Sequence, residues 1–136
     1  MYERILVPTD GRENTERAID EAIDLAGEHD ATLHTLYVIN SAAIAPGIDF
    51  DDLEEIGQQA VDYVANRARE NGVEDVERNV IHGLRHRAIL QYADEHDIDL
   101  VVLGRRQKLD HLLRGSVSER VSSEATIPVL IVDQDG

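Results

Sequence analysis

Apolar and polar positions follow two alternating periods along this chain. Ile5 to Val7 form a short apolar run closed by Thr9-Asp10-Gly11, the pattern of a buried strand followed by a turn. From Thr15 to Ala26 the residues Ala18, Ile19, Ala22, Ile23 and Ala26 recur with helical spacing, and Gly27 is expected to close this amphipathic helix. Thr32 to Ile39 returns to β-branched and apolar character, which predicts a second strand, and Asn40 to Asp49 reads as a loop. Asp52 with Glu55 forms a capping-box pattern that opens a second helix, with Ile56, Ala60, Tyr63, Val64 and Ala68 on its apolar face and Asn71-Gly72 at its end. Val73 to Ile81 predicts a third strand, and Ala88, Ile89, Tyr92 and Ala93 mark a third helix. Leu100 to Leu103 is wholly apolar up to Gly104, as suits a central strand buried on both faces. Ser116 with Glu119 is a second capping-box pattern for a short helix through about Ala125, and Pro128 precedes a final strand from Val129 to Val132.

Strand and helix therefore alternate before a last strand, with no internal repeat or low-complexity linker. This order predicts one α/β domain over residues 1–136: a single open five-stranded, mainly parallel sheet with helices on both faces. With strand order 3-2-1-4-5, the loops after strands one and four would meet at one crevice, where open parallel sheets bind ligands.

Composition narrows the function classes. The chain has no cysteine, which removes disulfides, thiolate nucleophiles and cysteine metal sites. Its longest apolar runs are far too short to span a bilayer, and its acidic, aperiodic start does not read as a signal peptide. A cytoplasmic protein is expected. Acidic residues number 28 against 13 basic ones, a net charge of -15 that repels nucleic-acid phosphates and anionic membranes. Lys108 is the one lysine, the other basic residues being arginine, and aspartate is abundant. This composition reads as adaptation to high salt, where screening relieves self-repulsion, with an acidic mesophilic protein from a genome that favours arginine codons as the other reading.

Candidate chemistry gathers in the two loops that would face each other. Asp10 is placed to accept hydrogen bonds from ribose hydroxyls. Gly104-Arg105-Arg106-Gln107-Lys108 follows the fourth strand and leads to Gly115-Ser116-Val117 at a helix start, whose amides and dipole suit an anion. Ser116 is open to a second reading as a simple helix cap, worth about 1 kcal/mol. The stretch from Gly104 to Gly115 is net positive in an otherwise acidic chain, and its arginines could hold a ligand or pair with nearby carboxylates. No P-loop, dinucleotide fingerprint or nucleophile-elbow motif occurs. His82 and His86 stand at a metal-ligand spacing, but Gly83 separates them where strand gives way to helix, so no metal site is assigned. His34 reads as a packed or edge residue, and Asp94 to Asp97 as a solvated helix end.

Three stretches, Ile5-Leu6-Val7-Pro8-Thr9-Asp10-Gly11, Leu100 to Gly104, and Gly115 to Val121 before Pro128 to Val132, together closely resemble the universal stress protein family across the whole chain. The resemblance implies the adenine nucleotide alpha hydrolase-like fold with strand order 3-2-1-4-5, and a small cytoplasmic homodimer joined through the last strand. Many family members bind ATP, so the resemblance also implies an adenine nucleotide, ATP or AMP. It matches Asp10 to the ribose and base position, Val38 to the backbone adenine contact and Pro8 to the pocket floor. Gly104, Gly115 and Ser116 match the first glycine and the closing Gly-Ser of the phosphate loop. The middle of that loop departs from the family pattern, because Gln107 stands in place of a second glycine and the spacer is about two residues shorter. Arg85 replaces a proline common in relatives.

Two functions follow. One is a nucleotide-binding stress regulator in which Arg105, Arg106 and Lys108 replace missing backbone donors; the other is a dimeric scaffold or interaction protein without nucleotide. No catalytic base, metal-binding carboxylate pair or catalytic lysine is evident, and binding is favoured over catalysis. The charge reading carries its own prediction: as the Debye length falls from about 10 Å at 0.1 M salt to about 3 Å at 1 M, the unfolding midpoint rises with potassium chloride. Thermal scans showing a flat or falling midpoint would remove the high-salt reading.

Overall fold

The computed structural model describes residues 1–11, 15–40, 46–105 and 117–133. Its elements run β1 (Arg4–Pro8), α1 (Glu16–His29), β2 (Thr32–Ile39), α2 (Phe50–Glu70), β3 (Val76–His82), α3 (Arg85–Glu95), β4 (Leu100–Arg105), α4 (Val117–Glu124) and β5 (Val129–Asp133). The strands form one five-stranded sheet in the order β3-β2-β1-β4-β5, and every neighbouring pair is parallel. The predicted fold class and strand order are those observed.

Parallel strands need crossover helices, and successive side chains on a strand point to opposite faces, so a central strand must be apolar at every position. Ile5, Leu6 and Val7 of β1 meet this requirement and are wholly buried. Ile5 and Val7 pack with Leu33, Leu100 and Val102 beneath α1 and α2. Leu6 packs with Leu36, Val38, Val101 and Leu103 beneath α3 and α4. Two cores therefore lie on either side of the sheet.

Several boundaries differ from the sequence expectation for physical reasons. Helix α1 runs through Gly27 instead of ending there. A Cβ at this position would meet Val73 Cγ2 at 3.9 Å, an ordinary contact, and the glycine stays within the helix. The helix is closed by Asp30 in the left-handed conformation, φ 53°, which aspartate tolerates better than most residues. Helix α2 begins one turn earlier than the Asp52–Glu55 pattern predicts, because the Asp49 side chain accepts from the Asp51 N–H at 2.9 Å. Its buried stripe is Gly57, Ala60, Val61, Val64, Ala65 and Ala68. Ile56 and Tyr63, expected in the core, are 49% and 44% exposed. Gly57 explains the offset: a Cβ there would sit 2.7 Å from Tyr37 Cδ1 and 3.0 Å from Val80 Cγ1, so α2 lies against the sheet along this glycine. Val73 is a buried core residue before β3 rather than its first residue.

His34 is packed, not at an edge, within a polar network beneath α3. Its Nδ1 lies 2.7 Å from Tyr92 Oη, which also accepts from Asn79 Nδ2 at 2.8 Å. A complete donor–acceptor assignment has Asn79 donating to the phenol oxygen and the phenol O–H donating to Nδ1 of a neutral imidazole. His96 stacks on Tyr92 at 3.8 Å and meets the His34 ring edge-on at 5.8 Å. Burial holds His34 below the ordinary histidine range, opposed by Glu77 and Asp75 and reinforced by His96 and Arg4. Burial, with Glu77, pushes the Tyr92 phenol up to about 12.

Because folding depresses the His34 value, the native state favours the uncharged ring. That contribution is complete above the unfolded value, about 6.5, and is lost as pH falls through it toward the folded value. The raised Tyr92 value acts in the opposite window, its contribution being lost as pH rises beyond about 10. In denaturant titrations, His34→Leu is expected to lose less stability between neutral pH and pH about 5 than the unsubstituted protein. Identical pH dependence in the two proteins would show that His34 is not uncharged in the fold.

Candidate functional site

The sheet opens where strand order reverses. β1 pairs with β4 only at Ile5–Leu100 and Leu6–Val101. β1 nevertheless runs on to Pro8 beside β2, and β4 to Arg105 beside β5. The two strands therefore part toward their carboxyl ends, and the residues after β1 stand across a crevice from the end of β4, the ligand position in open parallel sheets.

On the β1 side, Pro8 is buried at the strand end, and the next residue holds the loop to β2 through Thr9 N–H donating to the Leu36 carbonyl at 2.9 Å. Gly11 adopts φ +74°, a conformation that favours glycine, and its N–H donates to Thr9 Oγ1 at 3.1 Å. The half-buried Asp10 receives Thr15 Oγ1 at 3.5 Å, and Thr15 also lies 3.4 Å from Thr9 Oγ1. Thr9 and Thr15 are buried. The sequence reading gave neither a site role, although their hydroxyls fix the loop that carries Asp10.

Val38 enters the site through its backbone. The Thr32 N–H bonds to Glu3 and the Leu36 carbonyl accepts from Thr9, so even-numbered residues of β2 direct their peptide groups toward β1. The register with β1 ends at Pro8–Leu36, two residues short of Val38. The Val38 N–H and C=O thus project past the end of β1 into the crevice, while its side chain is buried beneath α3. A peptide pair in this position matches the donor and acceptor edge of a planar base.

On the far side, Gly104 and Arg105 lie within β4, which extends past the glycine expected to stop it. They stand opposite Val132 and Asp133 of β5. Arg105 Nε donates to Asp133 Oδ1 at 2.9 Å, with both side chains about a third exposed. The sequence reading missed Asp133, which becomes visible as a partner only once the strand register is known. Val117 is the first residue of α4 and is partly buried. Arg106, Gly115 and Ser116 lie outside the described residues, as do Gln107 and Lys108. The structure thus brings Pro8, Asp10 and Val38 together, with Gly104 and Arg105 across the gap.

His82 and His86 belong to different elements, β3 and α3, and His82 Nε2 lies 3.2 Å from Glu54 Oε1. No group of three or more metal-ligating side chains converges among the described residues. No helix among them is long and apolar enough to cross a membrane.

Comparison with known proteins agrees with this architecture. A model of the universal stress protein family matches residues 1–133. The chain belongs to the universal stress protein family. It is 33% identical over 142 residues to Universal stress protein MJ0531 of Methanocaldococcus jannaschii, covering 97% of this chain and 82% of that protein. It is 34% identical over 145 residues to Universal stress protein Rv1636 of Mycobacterium tuberculosis, covering 96% of each. Among solved structures, a universal stress protein in complex with cAMP superposes with a TM-score of 0.76 at 28% identity, covering 98% of each chain. A universal stress protein from Archaeoglobus fulgidus in complex with dAMP shares the fold, with a TM-score of 0.74 at 21% identity over 96% of this chain and 97% of that one.

Proposed function

We propose that this chain is a cytoplasmic, homodimeric stress-response protein that binds an adenine nucleotide, ATP or AMP, in the crevice between β1 and β4. The observation that carries this reading is that β2 runs beyond its register with β1, so that the Val38 peptide groups project beside Asp10 over the buried Pro8. In this arrangement the Val38 N–H and C=O hydrogen-bond the adenine edge, and the Asp10 carboxylate accepts from ribose hydroxyls. The phosphate lies toward Gly104 and the N-terminus of α4, where the Val117 amide, Gly115-Ser116 and the helix dipole favour negative charge. Arg105 and Arg106 supply side-chain donors that a loop with Gln107 in place of glycine does not supply from its backbone. The relative in complex with cAMP supports an adenine ligand for the family. This binding reading includes no catalytic residue or metal.

The Arg105–Asp133 ion pair favours a second reading, in which the arginine is structural and the protein is a dimeric scaffold or interaction protein without nucleotide. Calorimetric titration of ATP, ADP and AMP in molar salt separates the two. On the binding reading affinity does not rise with phosphate number, Asp10→Ala weakens it by about tenfold or more, and reversing Arg105 and Arg106 to glutamate abolishes it. Ser116→Ala weakens binding modestly, with its stability measured alongside to separate the cap from the ligand contact. Affinity that rises with phosphate number and ignores the reversal would place the anchoring in the backbone. No heat and no thermal shift with any nucleotide would favour the scaffold.

The dimer reading rests on β5, an edge strand carrying Val129, Leu130, Ile131 and Val132. Leu130 is 36% exposed, and an uncovered apolar edge invites pairing with another chain. Light scattering is expected to give a dimer, with Leu130→Glu shifting it toward monomer. A monomer across salt concentrations, or a dimer indifferent to the new charge, would overturn this assembly.

A further inference from the structure

Two of the exposed apolar side chains of helix α2 share a flank that neither the core nor the crevice uses. Ile56 and Tyr63, seven residues apart on one flank, remain about half exposed, while Ala60 between them is buried and small. Across from this flank stand Thr15, Glu16 and Ile19 at the start of α1, with Thr9 at the base. The space they enclose has a volume of about 330 Å³. It lies on the α1–α2 side of the sheet. Thr9 and Gly11 line it, whereas Asp10 between them does not.

The cavity has one preset wall. Tyr63 Oη donates to Glu16 Oε1 and accepts from Arg67 Nη1 at 3.0 Å, and Arg67 Nε in turn donates to Asp20 Oδ1 at 2.7 Å. The phenol ring is therefore fixed before any ligand arrives, which reduces the entropy lost on binding. Gln59 also lines the cavity, and its carboxamide hydrogen-bonds to no described residue. It offers both a donor and an acceptor, the complement of an amide. Glu16, which lines the same space, and the net charge of -15 oppose anions. The volume is at the small end of the range for ligand pockets, roughly 300–1,000 Å³.

We propose that this cavity is a second binding site, separate from the crevice, for a small neutral molecule that carries one ring and an amide group. The ring lies against Tyr63, Ile56 and Ile19, and the amide pairs with Gln59. The site does not depend on nucleotide binding, and a single spectrum distinguishes the two locations.

The experiment is amide chemical-shift titration of the isotope-labelled protein with benzamide and, as a charged probe of the same shape, benzoate. Benzamide is expected to give saturable shifts at Ala60 and Tyr63, which belong to the cavity alone, and benzoate to bind at least about tenfold more weakly, a difference of about 1.4 kcal/mol. Gln59→Leu, at an exposed helix position, is expected to weaken benzamide about fivefold or more, close to 1 kcal/mol. Ala60→Leu is expected to fill the space and abolish binding; should it fail to fold, Ile56→Glu, also at an exposed position, tests the same wall. No saturable benzamide shift, equal affinity for benzoate, indifference to Gln59→Leu, or shifts confined to Val38 and Gly104 would each overturn the proposal.

Discussion

Ile5, Leu6 and Val7 have no exposed surface, and a strand without a solvent face exists only where helices cover both sides of its sheet. That one condition organises the rest of the molecule. Right-handed crossovers then send α1 and α2 to one face and α3 and α4 to the other. The chain can populate both faces only by building outward from β1 in one direction and afterwards in the other. The reversal falls between β1 and β4, whose pairing ends at Leu6–Val101. The crevice is thus a consequence of burying β1, and the residues at its rim are free to carry function because the core beneath them is already satisfied.

Charge is the opposing influence. With a net charge of -15, folding concentrates carboxylates that the unfolded chain keeps apart. Several of the described ion pairs join separate elements. Arg67 reaches Asp20 and Glu16 from α2 to α1, Arg78 reaches Asp62 from β3 to α2, and Arg105 reaches Asp133 from β4 to β5. All involve partly exposed side chains, and such pairs contribute about 0–1 kcal/mol each in water. Their main effect is geometric, because a planar guanidinium with several donors fixes its partner's direction as well as its distance. The apolar cores supply the cohesion, and Arg67 fixes the Tyr63 ring by the same geometry.

Sequence periodicity was most informative where one physical demand acted alone. Thr32–Ile39 was legible to the residue, because a strand between two neighbours shows its apolar and β-branched character without competition. Reading failed where two demands met in one residue. Gly27 carried the signal of a helix end, but the left-handed turn that closes the helix falls at Asp30, whose N–H bonds back to the Ala26 carbonyl. The spacing of Ile56, Ala60 and Tyr63 was helical, yet the need to fit Gly57 against Tyr37 rotated the buried stripe toward smaller residues. At the crevice, the positions of Asp10 and Gly104 followed from the order of elements. The role of Val38 came only from family resemblance, since a backbone donor and acceptor leave no mark on side-chain pattern. Thr15 and Asp133 were illegible because their partners are set by the loop geometry and by the strand register.

The Arg105–Asp133 pair bears on both functional readings, and its exposure determines how. Each side chain is about a third exposed, so water and salt already screen the attraction, which places the pair near the weak end of such interactions. The partly exposed Asp133 carboxylate therefore orients the guanidinium at the rim with a weak attraction. A phosphate group presents several oxygens to the same planar donors and can share them with the peptide N–H groups of a helix start, where the dipole adds to the attraction. On the nucleotide-binding reading, Asp133 is then a positioning residue for Arg105, which it holds through the Nε–Oδ1 bond. On the scaffold reading the same pair closes β4 against β5 and stiffens the edge strand that a second copy would meet. The two readings share the bond from Arg105 Nε to Asp133 and differ in whether a phosphate also reaches the guanidinium.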